Sequence, residues 1–373
     1  KKKNKEMMIK IYLIQVIFLL VQLICQSHGQ LSFNIFDLIQ NKVTDKENVS
    51  QLAYYYDTND LAVRNKWMAK LPNDTNIMRI NVPGTHDSSA LLGGNIYKTQ
   101  SLTLSQQLNS GIRYFDIRCQ QVKNMFQVYH GPIYQNINFN DVLNIFTDFL
   151  SANPSEVLYM RLKKENDDDE KTNRTFSRTF IDSYYSDERY NRFFFNTTNC
   201  LTSPTLGEAR GKILLIQNFN MEENKCLGRS YGTLSIQDAY QLDTNWDLYS
   251  KWMKIKAKLI ESSSDPNSIA VLNHLSGSTG KSIPIFPFFV ASGKITPGTY
   301  DPMMLTGLYS FNGNGQFPEF PRVNCMFLIC SIGFQGTNMM THGYLKAHGK
   351  GYYGIIAIDF PGQGLIDAII NSN

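Results

Sequence analysis

Only six cysteines and three tryptophans occur among the 373 residues. No cysteine or histidine spacing resembles a zinc site, which excludes a small metal-stapled fold. Charge of one sign is scarce too. The formal net charge of +4 is concentrated in the first 29 residues, and the remainder holds 31 basic and 31 acidic residues. A neutral chain lacks the electrostatic footprint of a nucleic-acid binder and of a protein drawn non-specifically to anionic membranes. There is no internal repeat and no low-complexity tract. The apolar stretch Ile11 to Cys25 falls short of the roughly twenty residues of a membrane-spanning helix.

That stretch belongs to a different pattern. Lys1, Lys2, Lys3, Lys5 and Lys10 precede it, and the small residues Ser27 and Gly29 follow. Basic, apolar and small segments in that order are expected to form a secretory signal peptide over residues 1–29. Sequons at Asn48, Asn73, Asn173 and Asn196 fit a secreted, extracellular glycoprotein. In an oxidising compartment some of Cys119, Cys200, Cys226, Cys325 and Cys330 should pair. Cys200 with Cys226 is the expected bridge, and an odd number leaves one thiol free or joined to another chain. Residues 30–373 read as one domain, expected to act as a monomer.

Short apolar runs, each closing on a polar residue, recur through this domain. Met78 to Val82 ends at a turn Pro83-Gly84-Thr85-His86. Arg113 to Arg118 alternates, which puts Asp116 and Arg118 on one strand face. Phe126 to Tyr129 ends at His130, Val157 to Leu162 at Lys163, Ile213 to Ile216 just before Asn218, and Ile355 to Ile358 at Asp359. Ile269 to Leu272 makes seven candidate strands. Val142, Leu143, Ile145, Phe146, Phe149 and Leu150 recur at helical spacing behind an Asn140 cap and before Pro154. Strands alternating with helices predict an α/β fold with a parallel sheet. Polar residues gathered at strand C-termini predict a single distorted TIM-type barrel, with its active site on that rim. Seven strands do not establish a perfect eightfold barrel, and Glu165 to Glu170 reads as a solvated acidic loop.

His86 and His130 stand at strand ends beside an arginine and several carboxylates. A lone histidine there is more often structural; two with an arginine suggest chemistry. Intramolecular cleavage of a phosphodiester needs one base, one acid and positive charge on the phosphoryl oxygens. Two imidazoles and Arg118 can supply these without a metal or other cofactor. Asp87 and Asp359 could fix the imidazole tautomers. The alternative for Asp116 and Arg118 is a buried ion pair inside the barrel.

The stretch Arg79-Ile-Asn-Val-Pro-Gly-Thr-His-Asp-Ser88, with Gly111-Ile-Arg-Tyr-Phe-Asp-Ile-Arg118 and Tyr129-His-Gly-Pro132, resembles the X region of phosphatidylinositol-specific phospholipases C. The likeness is nearest the bacterial, calcium-independent type. It extends through Asn65-Lys-Trp-Met68, Asn153-Pro-Ser-Glu156, Leu162-Lys-Lys-Glu165, Arg210-Gly-Lys-Ile213, Gln237-Asp-Ala-Tyr240 and Ala357-Ile-Asp359.

The resemblance implies that residues 30–373 form a catalytic barrel acting on phosphatidylinositol or a glycosylphosphatidylinositol-type anchor. The products would be diacylglycerol and inositol 1,2-cyclic phosphate. By the same resemblance His86 is the general base, with Asp359 as its carboxylate. His130 is the general acid, with Asp87. Arg118 occupies the place of calcium in the animal enzymes, and Lys163, Asp238 and Tyr240 grip the inositol ring. Asn218 stands where the bacterial members place an inositol-binding arginine, so a substituted headgroup is the expectation there.

The enzyme would also touch a phospholipid surface, peripherally and transiently. Ser282 to Val290 is apolar with two prolines and no charge. It is expected to form a rim loop whose Phe286, Phe288 and Phe289 dip into the membrane, as exposed apolar patches do. The alternative is a buried strand, against which Pro284 and Pro287 count. Residues 276–280 read as a plain loop. Rival readings are a metal-dependent glycerophosphodiesterase or sphingomyelinase D-like hydrolase, and a catalytically inactive lipid- or glycan-binding module. The first needs a cluster of acidic ligands around a hard cation; the second would not be expected to keep His86, His130 and Arg118.

Overall fold

The computed structural model describes residues 52–166, 171–221, 226–265, 267–279, 285–297, 305–309, 317–326 and 329–373. The expected signal peptide, the sequon at Asn48 and residues 282–284 of the apolar segment lie outside them. From Ser50 to Asn373 the chain forms one compact unit.

In chain order the first strands are β1 (Val82–Thr85), β2 (Tyr114–Val122), β3 (Met125–His130), β4 (Ile133–Asn138), β5 (Leu158–Lys164) and β6 (Ile213–Asn218). Then come β7 (Arg229–Ser230), β8 (Ser235–Gln237), β9 (Val271–His274), β10 (Leu305–Tyr309), β11 (Arg322–Met326), β12 (Ile329–Gly333) and β13 (Ile355–Ile358). Eight of them pair in the order β7-β6-β5-β2-β1-β13-β9-β8, every neighbouring pair parallel. The sheet curls into a TIM-type barrel in which, among the described residues, no pairing joins β7 to β8. The β3–β4 hairpin extends β2 antiparallel, and β10, β12 and β11 form a separate three-stranded sheet.

Several elements differ from the sequence reading. Met78 belongs to a 3-10 turn, Ile77–Arg79, and the strand is Val82–Thr85 itself, so Pro83-Gly84 is stave and not turn. Gly84 is required there: a Cβ would stand 2.6 Å from the ring of Tyr114, which packs against β1 inside the barrel. Phe126 to Tyr129 lies in the hairpin and is not a stave. The helix Phe139–Ala152 starts two residues earlier than expected, because Asn138 and not Asn140 caps it and Asp141 reaches back to the Asn138 N–H at 2.9 Å. Asn153 and Pro154 follow its end.

Alternation along the staves explains where the site sits. Facing inward near their starts are Tyr114, Tyr159, Leu214, Leu272 and Ile355, members of one buried apolar cluster. Two or four residues further along, the same faces carry Asp116, Arg118, Arg161, Lys163, Asn218, His274 and Asp359. The barrel is thus apolar at its N-terminal end and charged at its C-terminal rim. The outward faces pack on the helix Phe139–Ala152 through Phe115, Ile117, Leu158 and Met160.

Three of the four sequons, Asn73, Asn173 and Asn196, are exposed. Cys200 and Cys226 form the expected disulfide. Cys330 is also disulfide-bonded, and Cys119 is free and buried. Among the described residues no helix is long and apolar enough to cross a membrane.

Candidate active site

At the rim lies a pocket of roughly 480 Å³, with His86, Arg118, His130, Arg161, Lys163 and Asp359 on its walls. His86 ends β1. Asp87 follows with φ 41°, a left-handed conformation that turns the chain so both side chains face inward. That turn is stitched to β2: Ser88 N donates to Asp116 O at 3.0 Å, and Asp116 N donates to Ser88 Oγ at 2.8 Å. Gln100 Nε2 donates to His86 O at 2.7 Å. Asp359 directly follows β13, and Asn338 Nδ2 donates to its carbonyl at 2.9 Å.

The imidazole of His86 is held from both sides. Its Nδ1 lies 2.9 Å from Asp359 Oδ1, and its Nε2 lies 2.8 Å from Arg118 Nη2. A guanidinium only donates, so Nε2 presents its lone pair and Nδ1 carries the proton, which goes to Asp359. Burial, with the adjacent Arg118 cation, holds His86 well below the usual imidazole range. Burial, with the neighbouring Asp87, pushes the Asp359 carboxyl well above the usual carboxylate range. This is a neutral imidazole backed by a basic carboxylate, an arrangement that can accept a proton.

His130 closes the opposite side, its ring centroid 6.5 Å from that of His86. Nδ1 lies 2.6 Å from Tyr97 O, and Nε2 lies 3.2 Å from Asp87 Oδ2. Nδ1 thus faces a backbone acceptor, and Nε2 faces the Asp87 carboxylate. Asp87 Oδ1 also stands 2.6 Å from Arg118 Nε. These are charge contacts, since neither Asp87 oxygen receives a well-directed hydrogen bond among the described residues. The N–H of Arg118 Nε points instead to Asp116 Oδ2, 3.2 Å away. Burial raises the Asp87 pKa to about 6, against the pull of Arg118 and His130.

Asp116 is fully buried, and burial alone would raise it. Arg118 and Arg161 outweigh that and hold it well below the usual carboxylate range. His86, Asp87 and Asp116 each offer a ligand atom within 4.8 Å of the others. Yet Asp116 Oδ2 already meets two guanidinium groups, Arg118 at 2.9 Å and Arg161 at 3.2 Å. A divalent cation added there would face both positive charges at short range, which fits a metal site poorly.

The remaining expected residues divide. Lys163, Asp238 and Tyr240 border the pocket with the two histidines, and Phe286 joins them. Asn218 does not border it. Its Oδ1 accepts from Arg161 Nε at 2.9 Å and Nη2 at 2.7 Å, so it faces a protein cation. The rim-loop expectation fails for Phe288 and Phe289. Pro287 starts a short helix, Pro287–Ser292, where proline fits the first turn. That helix buries Phe288 against Tyr54, Tyr56 and Phe360, and Phe289 against Phe334. The two rings are 2% and 3% exposed. Among the described residues, the exposed large apolar side chains at the pocket mouth are Ile96 and Tyr240. Residues 276–279, read as a plain loop, form part of the wall.

Two charged residues were missed. Arg161 is nearly fully buried beside Asp116. Glu165, read as the start of a solvated loop, is largely buried. It accepts from Gly131 N at 2.9 Å and stands 3.3 Å from Lys163 Nζ and 3.7 Å from Arg118 Nη1. Residues 167–170 of that stretch lie outside the described residues.

A parallel barrel whose rim pairs two imidazoles with a guanidinium and buried carboxylates belongs to a known class. The family model described as phosphatidylinositol-specific phospholipase C, X domain, matches residues 85–219. The 1-phosphatidylinositol phosphodiesterase of Listeria monocytogenes is 33% identical over 230 residues, covering 57% of this chain and 68% of that protein. That of Staphylococcus aureus strain Newman is 31% identical over 247 residues, covering 58% of this chain and 76% of that protein. The solved structure of the Listeria monocytogenes phosphatidylinositol-specific phospholipase C superposes with a TM-score of 0.61 at 25% identity, covering 84% of this chain and 99% of that one. The chain belongs to the phosphatidylinositol-specific phospholipase C family.

Proposed function

We propose that this protein cleaves phosphatidylinositol, free or as the lipid of an anchor, to diacylglycerol and inositol 1,2-cyclic phosphate. His86 Nε2 takes the proton of the inositol 2-hydroxyl, and that oxygen attacks phosphorus. The bond from phosphorus to the glycerol oxygen breaks, and His130 gives its Nε2 proton to the departing oxygen. Arg118 turns its guanidinium to the non-bridging oxygens, where negative charge builds. Asp359 steadies the His86 imidazolium, and Asp87 steadies protonated His130. Lys163, Asp238 and Tyr240 contact the headgroup.

One observation carries this reading: His86 is presented with its Nε2 lone pair against Arg118 while Asp359 holds Nδ1. Base and phosphate-binding cation are thus side by side, and His130 stands across the pocket. Ile96 and Tyr240, exposed at the mouth, would meet the lipid surface in place of Phe288 and Phe289. Secretion is part of the proposal; the Cys200–Cys226 disulfide suits an oxidising compartment.

The test is product analysis. Purified protein is incubated with phosphatidylinositol vesicles in excess chelator, and phosphorus is followed by NMR. A five-membered cyclic phosphate, lost in His86→Ala and in His130→Ala, is the expected result. Turnover only on adding calcium or magnesium would overturn the role of Arg118, and no turnover in either condition would remove the activity.

A further inference from the structure

Arg161 is the charged group of the pocket that the proposed chemistry leaves without a task. It sits on β5, one pleat below Lys163: Arg161 is opposite Asp116 on β2 and Ile216 on β6, while Lys163 is opposite Arg118 and Asn218. The rim is therefore layered. Arg118 and Lys163 form an upper level beside His86, and Asp116 and Arg161 form the floor beneath.

The guanidinium is immobilised on three sides. Nη1 lies 3.2 Å from Asp116 Oδ2. Nε and Nη2 both donate to Asn218 Oδ1. Its carbon lies 4.0 Å over the centroid of the Tyr231 ring. Its side chain is only 6% exposed, yet it borders the pocket. A guanidinium has five N–H bonds in a planar fork. These contacts use three of them and leave one on each terminal nitrogen. Asp116 balances its charge, so the floor is polar without being an anion trap. One free N–H on each terminal nitrogen of a rigid, charge-balanced guanidinium suits two neighbouring neutral oxygens.

We propose that Arg161 is a headgroup-recognition residue, donating its two unengaged N–H bonds to vicinal ring hydroxyls of the inositol. Asn218 is the positioning residue that aims it. The assignment rests on the proposed phospholipase activity for its substrate, and it moves Asn218 from the ligand to the support of a ligand-binding arginine.

The experiment compares wild type, Arg161→Gln, Arg161→Lys and Asn218→Ala in the full chain. One measurement is the affinity for free myo-inositol by NMR titration. The other is the preference for phosphatidylinositol over a lipid phosphodiester of cis-1,2-cyclohexanediol, which keeps the attacking hydroxyl and lacks the others. Loss of two charge-assisted hydrogen bonds should weaken inositol binding and reduce the preference by about 10- to 100-fold in Arg161→Gln. Arg161→Lys keeps the charge beside Asp116 but not the fork, and should show a smaller loss of both. Asn218→Ala should shift both in the same direction, less than Arg161→Gln, with KM affected more than kcat.

Equal losses on both lipids would mean that Arg161 acts only through Asp116 and Arg118, and would overturn the assignment. Unchanged inositol affinity in Arg161→Gln would overturn it too, whatever the turnover; should that variant not fold, unchanged affinity in Arg161→Lys decides in the same way. Wild type that binds inositol through Arg161 but forms no cyclic phosphate would remove the phospholipase reading and leave this one standing.

Discussion

Arg118 donates a hydrogen bond from Nη2 to Nε2 of His86 across 2.8 Å. A cation on the base's own lone pair looks counterproductive, since it competes for the site that must take a proton. It has two effects that suit the resting enzyme. It fixes the tautomer with Nδ1–H towards Asp359, and it opposes protonation of the ring before substrate arrives. A phosphate drawing Arg118 away would free the lone pair when it is needed. Arg118→Gln should therefore do more than lower kcat, by about 10²–10³-fold from lost charge stabilisation. The His86 imidazole should titrate at higher pH than in wild type, followed by its ring-carbon proton in NMR. An unshifted His86 titration would show that Arg118 serves phosphate alone.

Asp87 makes a second pH-dependent contribution. Its carboxyl is raised to about 6, chiefly by burial. Above that pH it is ionised and supports the proton on His130; as the pH falls through about 6 it takes a proton and that support is lost. The acid limb of kcat/KM should therefore bend near pH 6. Asp87→Asn should lower kcat/KM by about 10²–10³-fold, in the range for a perturbed acid catalyst, and should remove the bend. A variant that keeps the limb would assign it to another group.

The core of this site was legible from local sequence because His86-Asp87, Asp116-Ile-Arg118 and Ala357-Ile-Asp359 each end a short apolar run. Strand alternation alone puts the last inward residue on the rim. Arg161 and Glu165 escaped because their roles depend on cross-strand register, which no single run reveals. A signal was present: Arg161 and Lys163 are two apart on one strand, and so share a face. β7 and β8, two and three residues long, are too short to show any period. Phe288 and Phe289 misled for a different reason. Apolar composition with proline describes a membrane-dipping loop and a short buried helix with proline in its first turn equally well, and only packing against Phe360 and Phe334 separates them.

Stability at the opposite end of the barrel rests on another unsignalled contact. Arg113 and Glu156 are fully buried, with Arg113 Nε and Nη2 each 2.9 Å from Glu156 Oε2. Arg113 Nη1 also donates to the carbonyls of Leu108 and Ile112. Burial lowers the arginine pKa to about 10 even with Glu156 beside it, a sign of how poorly this site tolerates an unbalanced cation. Glu156→Gln would leave that cation without its counter-charge and should cost roughly 3–5 kcal/mol. Chemical denaturation would read this as a lower midpoint. The double variant Arg113→Met with Glu156→Leu should recover much of the loss. A loss under about 1 kcal/mol in Glu156→Gln would mean that water reaches the pair.

Lys251 presents the converse case, a buried cation with almost no partner. It lies on the helix Asp247–Ser264, 2% exposed, and among the described residues its Nζ reaches only Gln237 Oε1, at 3.4 Å. Burial lowers its pKa to about 7, although the charges of Asp238 and Asp359 pull the other way. In the unfolded chain the same lysine holds its proton to about pH 10.4. Between those limits the unfolded state binds more protons than the native one, so stability rises with pH. The slope for one group reaches about 1.4 kcal/mol per pH unit. Below about pH 7 both states are protonated and the contribution is lost. Lys251→Met keeps the side-chain length and removes the titration. The variant should be the more stable protein at pH 7, and its advantage should shrink as the pH is raised to 9. Urea midpoints of both proteins at the two pH values decide it: parallel shifts would show that Lys251 keeps its proton in the native state throughout that range.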